Sequence, residues 1–237
     1  MQIQDQVVLI SGANGGIGKA FVQAFVEAGA KTVYACARST DTLGDIVQQK
    51  GVQAVALDIT NPAQVEAAVE ACSDVTILVN NAGQNLGGLL GSPATARAEM
   101  EVNYFGTLAM CTAFAPVLAA HGGGWIVNTI SILAYVNMPS IGSYSASKAA
   151  LHSLTQGLRS VLAKQGTKVV GLYPGPVETR LTEGLDMPKA KPAAIAQALL
   201  AGLLADADEI YPDPIARDTF EALKTDRKAV EQQFGAY

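Results

Sequence analysis

The sequence predicts an α/β fold: a doubly wound parallel sheet with helices on both faces, built as one domain over residues 1–237. Three observations carry this expectation. Short uninterrupted apolar runs such as VVLI at Val7–Ile10 recur along the chain, the pattern of strands covered on both faces. Longer segments with apolar residues at helical spacing separate them. The first run passes directly into SGANGGIG and then into a segment with Ile17, Phe21, Phe25 and Ala28 on one helical face, closed by Gly29. A glycine-rich turn between a strand and a helix is the Rossmann-type arrangement for holding a pyrophosphate at a helix amino terminus.

Composition narrows the function. The 237 residues are 49% hydrophobic, enough for a large core, and the net charge of −5 argues against nucleic-acid binding, which calls for a concentrated basic face. The first residues carry no basic segment leading into a long apolar stretch, so neither a signal peptide nor a membrane span is expected. Cys36, Cys72 and Cys111 are odd in number and unclustered, which reads as three reduced buried thiols, no metal site and a cytoplasmic protein.

The second strand is expected at Thr32–Ala37, and the residue after it bears on nucleotide choice. A carboxylate about 20 residues beyond the glycine turn suits the adenosine ribose of NAD, whereas an arginine suits the extra phosphate of NADP. The count from Gly18 reaches Arg38, followed by the hydroxyls of Ser39 and Thr40. NADP(H) is therefore favoured over NAD(H). Asp41 is the one dissenting charge, and it suits a helix cap.

Further strands are expected at Val52–Leu57, Val75–Val79, Trp125–Ile130, Val169–Tyr173 and Glu209–Tyr211. Asn61 and Pro62 open one helix, a long helix spans about 94–120 with a bend at Pro116, another runs from about Tyr144 to Lys164, and one begins near Pro192. Asp213 and Pro214 start a final helix rich in both charge signs, read as a solvated face with a subunit contact as the rival. His152 reads as a packing or interface residue and His121 as helix-end chemistry.

The stretch SILAYVNMPSIGSYSASK holds the candidate chemistry. Tyr144 and Lys148 are four apart, one helical turn, so their side chains share a site. An ammonium about 4 Å from a phenol is worth up to about 4 kcal/mol at an effective dielectric near 20, which predicts a tyrosine pKa lowered by about three units. Ser131 follows the run Trp125–Ile130 and so stands at the carboxyl end of a strand, where open α/β sheets bind ligands.

This spacing of serine, tyrosine and lysine, with the glycine-rich turn, resembles the short-chain dehydrogenase/reductase family. The resemblance implies that Tyr144 is the proton donor or acceptor, that Ser131 hydrogen-bonds the substrate oxygen, and that Lys148 holds the nicotinamide ribose and lowers the tyrosine pKa. Asn103 in EVNYFG matches the family's helix asparagine, which supports a proton-relay water. The implied cofactor set is Gly12, Asn14, Gly16, Ile17 and Gly18 in the turn, Asp58 and Ile59 at the adenine, and Asn80, Ala82 and Gly83 in the NNAG segment. Tyr144, Lys148, Pro174, Gly175, Val177 and Thr179 would meet the nicotinamide end. These matches run from Gly12 to Thr179, and beyond them the usual glycine-rich ending is missing. A homodimer or homotetramer is also implied.

The function that follows is NADPH-dependent reduction of an aldehyde or ketone, or the reverse alcohol oxidation. Leu86, Leu89, Leu133, Tyr135, Leu181 and Met187 are the expected substrate wall, which suggests an apolar carbonyl or alcohol. Residues 180–190 form a short lid, consistent with an open site. Alternatives are an NAD-dependent alcohol dehydrogenase of the same family, an NADP(H)-binding redox sensor without turnover, and an isomerase or dehydratase using the same tyrosine.

Overall fold

The structure is a computed structural model that describes residues 2–88 and 92–237. Seven strands form one parallel sheet: β1 Val7–Ser11, β2 Thr32–Ala37, β3 Val52–Ala56, β4 Ile77–Asn80, β5 Gly124–Thr129, β6 Thr167–Leu172 and β7 Glu209–Ile210. Their order is β3-β2-β1-β4-β5-β6-β7, so the chain reverses its direction of winding between β1 and β4. Leu9 of β1 lies opposite Leu78 of β4 at that point. The crevice beyond the carboxyl ends of these two strands is where such a sheet receives a ligand.

Alternation along each strand assigns the two faces. Val8 and Ile10 join Phe21 and Phe25 of α1 (Gly16–Glu27) and Ile195 and Leu199 of α6 (Pro192–Leu204) in one core. Val7 and Leu9 point the other way, into a core with Val65 of α2 (Pro62–Ala71), Phe114 of α4 (Thr107–Ala120) and Leu162 of α5 (Gly142–Leu162). Burial on both faces explains why the strands read as continuous apolar runs rather than alternating ones.

The expected long helix has an unforeseen interior. It comprises α3 (Pro93–Met100), a six-residue π segment (Glu101–Gly106) and α4. The π segment carries Asn103, and widened turns of this kind recur at functional sites. The whole run Pro93–Ala120 is long and apolar enough to cross a membrane by length and composition. Met110, Cys111, Phe114 and Leu118 are nevertheless fully buried against the sheet, as in a core helix. The three cysteines are free and buried, as expected.

The carboxyl end also departs from expectation. It folds as two helices, α7 (Pro214–Thr225) and α8 (Arg227–Phe234), and each buries one face. Ala216, Leu223, Val230 and Phe234 join Ile132, Leu133, Val136 and Met138 in a third apolar cluster, with Tyr144 packed against it. A high count of both charge signs concealed an amphipathic pattern: the charges are solvated, and the opposite face is core.

Close backbone packing sets the glycine turn. A Cβ on Gly18 would stand 2.2 Å from the Gly12 carbonyl oxygen, and one on Gly12, at φ +65, would stand 2.8 Å from the Ala82 Cα. Gly15 is different, since its Cβ would meet nothing nearer than 3.6 Å. Gly18→Ala is therefore expected to lose about 1–3 kcal/mol of stability through overpacking. Gly15→Ala should stay within about 0.5 kcal/mol. Thermal unfolding followed by circular dichroism separates the two, and equal losses would show that the turn is not packed this way.

Candidate active site

The glycine turn, the NNAG segment and the turn after β6 converge over the carboxyl edge of the sheet. Ser11 Oγ accepts from the amides of Asn81 and Ala82 at 3.0 and 3.1 Å, and Asn81 Nδ2 donates to the carbonyls of Ser11 and Gly12, both at 3.1 Å. These bonds lock the ends of β1 and β4 together. Gly16 faces Thr179, whose Cγ2 would lie 3.0 Å from a Cβ there. Gly15 caps α1 without any side-chain hydrogen bond, so the first-turn amides beside Gly16, Ile17 and Gly18 have no capping side chain to compete with an anion. A narrow groove with glycine on one wall and helix amides at its end fits a dinucleotide pyrophosphate.

Arg38 and Ser39 follow β2 and are exposed beside this groove. Asn14 Nδ2 donates to Thr42 Oγ1 at 3.0 Å, bringing the turn against the segment after β2. That segment is a 3-10 run, Thr40–Gln48, whose cap position is Ser39. Asp41 is thus in its first turn and not its cap. Asp58 lies within electrostatic reach of Arg38. Burial works to raise its carboxyl pKa, but hydrogen bonds from the Thr60 hydroxyl and amide, with the Arg38 guanidinium, hold it below the ordinary value.

Two residues of the expected cofactor set point into the protein. The Ile59 side chain is core, packed where a Cβ on Gly106 would be 2.7 Å away, which leaves only its backbone toward the groove. Asn80 donates to Asn128 Oδ1 at 2.9 Å and to Cys111 Sγ at 3.2 Å, beneath the sheet edge. Ala82 and Gly83 remain at the groove, and a Cβ on Gly83 would lie 3.4 Å from Lys148 Nζ and 3.1 Å from Asn103 Oδ1. This glycine leaves room beside the two polar side chains.

The four candidate catalytic residues come from three elements. Ser131 follows β5, Tyr144 and Lys148 project from α5, and Asn103 projects from the π segment. Ser131 Oγ accepts from the Leu133 amide at 3.2 Å and lies 3.4 Å from the Pro174 carbonyl oxygen, to which it donates. Lys148 Nζ donates to the Thr129 carbonyl at 2.9 Å and sits 5.6 Å from the centre of the Tyr144 ring. Asn103 accepts from the Gln84 amide and donates to the Gln84 carbonyl, each at 2.9 Å, and also donates to Ser147 Oγ at 2.8 Å. Asn103 thereby fastens the loop after β4 to α5.

The electrostatics differ from the expectation drawn from spacing. Burial pushes the Tyr144 phenol up to about 12; a hydrogen bond with Ser131 opposes that shift, and the Glu99 carboxylate adds to it. Burial also pulls the Lys148 ammonium down to about 8. Desolvation is the largest influence on both groups and favours the neutral form of each, so the phenol moves up, opposite to the direction that spacing suggests.

Beyond the turn after β6, Gly175 N donates to Asp213 Oδ2 at 2.7 Å, and the other oxygen of Asp213 caps α7 by accepting from Ala216 N at 2.9 Å. The cap was foreseen; its second bond, which fixes the Pro174–Gly175 turn, was not. The Val177 carbonyl accepts from the Thr182 hydroxyl, and Ala190 pairs with Val177 as an isolated bridge. Thr179 begins the short turn Arg180–Thr182.

Ser131 and Tyr144 face an apolar cavity that opens to solvent. Leu133, Leu181 and Met187 line it, as expected, and Leu181, Thr182, Leu185 and Met187 place the short lid over it. Leu89 lies outside the described residues. Leu86 is 54% exposed and not on the wall, where its neighbour Asn85 is. Tyr135 turns instead into an aromatic cluster with His152, Tyr173, Tyr211 and Phe220. His152 Nδ1 and the Tyr173 hydroxyl are 2.7 Å apart there, a packing role for the histidine. Met138, Ile141, Ile215 and Phe234 are wall residues that the sequence reading missed. Glu99, fully buried, was missed as well: it accepts from the Leu86 amide at 2.7 Å and holds the same loop that Asn103 holds.

Known proteins resemble this chain in sequence and fold. The family model for short chain dehydrogenases matches residues 6–189. An uncharacterised oxidoreductase of Staphylococcus aureus (strain USA300) is 33% identical over 213 residues, covering 85% of this chain and 92% of that one. A short chain dehydrogenase from Burkholderia cenocepacia J2315, solved in complex with NADP, superposes with a TM-score of 0.94 at 41% identity over 99% of both chains. A short chain dehydrogenase/reductase from Burkholderia phymatum, solved in complex with NAD, gives 0.83 at 26% identity over 94% of this chain and 96% of that one. Sequence match, sheet order and site geometry agree: the chain belongs to the short-chain dehydrogenase/reductase family of nicotinamide-dependent oxidoreductases.

Proposed function

We propose that this protein reduces an uncharged apolar aldehyde or ketone to the alcohol with NADPH, reversibly. The observation that carries the reading is the placement of Ser131 and Tyr144 on one apolar cavity while Lys148 reaches the cofactor side at Gly83. When bound, the cofactor supplies a hydride from nicotinamide C4 to the carbonyl carbon. Ser131 holds the carbonyl oxygen, and Tyr144 gives it a proton, completing the alcohol. With its pKa pushed up to about 12, the phenol is protonated at neutral pH, the form that reduction requires. Lys148 would hold the nicotinamide ribose, and Asn103 would support a water that resupplies the proton.

Preference for the phosphorylated cofactor rests on Arg38 and Ser39, which stand where an NAD-specific site would place a carboxylate. The relative at 41% identity was solved with NADP. Phe105 and Val161, 50% and 68% exposed, leave apolar surface on the π segment before α4 and on α5, and support assembly as a homodimer or homotetramer through those helices.

Three outcomes test this reading. Tyr144→Phe should keep NADPH binding, measured by fluorescence, and lose about 10²–10⁴-fold in turnover, the usual contribution of a general acid; unchanged turnover would remove the tyrosine from the mechanism. Arg38→Asp should move the NADPH-to-NADH preference in kcat/KM by about tenfold or more toward NADH, and an unaltered ratio would show that Arg38 does not read the phosphate. The third concerns Lys148, whose pKa falls from 10.5 to about 8, a burden on the order of 3 kcal/mol on the folded state. The unfolded chain holds that proton more tightly, so the burden is fully present below pH 8 and is relieved as pH rises toward 10.5. Lys148→Met should thus be at least as stable as the wild type at pH 7, by chemical denaturation, with an advantage that shrinks at higher pH. A variant less stable at both pH values would contradict the buried-cation assignment.

A further inference from the structure

The family match ends at residue 189, yet the substrate cavity does not. Ile215 at the start of α7 and Phe234 at the end of α8 lie on its wall, so part of the binding surface comes from a segment outside the family pattern. Phe234 is only 7% exposed and packs in one cluster with Leu133, Met138 and Val230, while Ile141 and Tyr144 pack against that cluster. The helix that carries it is tied at both ends. Asp226 caps it by accepting from Ala229 N at 3.0 Å, and beyond its end the Tyr237 carbonyl accepts from Ser140 N at 3.3 Å. The Ser140 carbonyl in turn accepts from Gly88 N at 2.8 Å, so the carboxyl terminus, the turn before α5 and the loop after β4 are joined in series around the cavity. Among the described residues, no Asp, Glu, Lys, Arg or His lies on the cavity wall, whose polar side chains are Asn85, Ser131, Tyr144 and Thr182.

We propose that α8 is the specificity element of this enzyme, with the Phe234 ring closing the cavity and restricting it to compact, uncharged carbonyl compounds. The inference rests on the carbonyl-reductase reading above and adds the residue that sets substrate size. A longer chain on the carbonyl must displace the Phe234 ring, and that ring is held by Val230 and Leu133. Shortening the side chain opens the wall, and enlarging it narrows the cavity further.

The experiment measures kcat/KM with NADPH over aryl n-alkyl ketones from methyl to pentyl for the wild type, Phe234→Ala and Phe234→Trp. The expected result is a steep fall with chain length in the wild type. In Phe234→Ala the pentyl-to-methyl ratio should rise by about tenfold or more, the range that a methylene-sized change in an apolar pocket commands. In Phe234→Trp it should drop below the wild-type ratio, which keeps the test open if the alanine variant fails to fold. NADPH affinity, read by fluorescence, should be unchanged in both. A ratio that stays within about twofold of wild type in every folded variant, while the wild type still turns over, overturns the role of Phe234 and leaves the reductase reading standing. If the wild type reduces no member of the series, the reductase reading fails and this inference fails with it.

Discussion

The site is organised around one buried cation. Lys148 is 4% exposed, and its ammonium donates to the carbonyl of Thr129, the last residue of β5. Holding a charge there costs on the order of 3 kcal/mol, and the fold accepts the cost because the ammonium must stand between the sheet edge and the space over Gly83. From that requirement several features follow. The turn after β5 must present Ser131 on the same side as α5, α5 must expose Tyr144 one turn before Lys148, and position 83 must lack a side chain. Asn103 fixes the remaining wall by bonding both backbone groups of Gln84.

Tyr144 shows how burial reshapes chemistry read from spacing. A tyrosine and a lysine one turn apart suggest an acidified phenol. In the folded chain both groups are desolvated, Glu99 adds a buried negative charge, and the phenol moves in the other direction, to about 12. The consequence is functional: the tyrosine is held in its proton-bearing form across the neutral range. Abstraction of a proton from an alcohol would begin from the less populated phenolate.

What could be read in advance was what short-range spacing encodes. The strand–glycine turn–helix unit, the Tyr144–Lys148 pair, the strand-end position of Ser131 and six further strands all appear within about two residues of their expected places. Features that depend on distant partners were hidden. Asp213 looked like a helix cap and is one, but its second oxygen reaches Gly175, 38 residues away in sequence. Phe234 sits in a charge-rich segment whose apolar side becomes visible only once it packs on Ile132, Leu133 and Met138. Glu99 has no local sequence signal to set it apart from other helix charges, yet it is fully buried. The π segment breaks no local rule, because widening a helix by one residue leaves its apolar pattern nearly intact.

The central claim is that a protonated Tyr144, beside Ser131 and Lys148, completes reduction of an uncharged carbonyl compound. The most direct measurement incubates the intact protein with NADPH and a compact aryl ketone at neutral pH, following loss of reduced-nicotinamide absorbance and identifying the product. The account predicts NADPH loss matched mole for mole by the corresponding alcohol. NADPH that binds but is consumed with no aldehyde or ketone, together with no reduction of NADP by alcohols at higher pH, would contradict it and leave a nucleotide-binding protein without turnover.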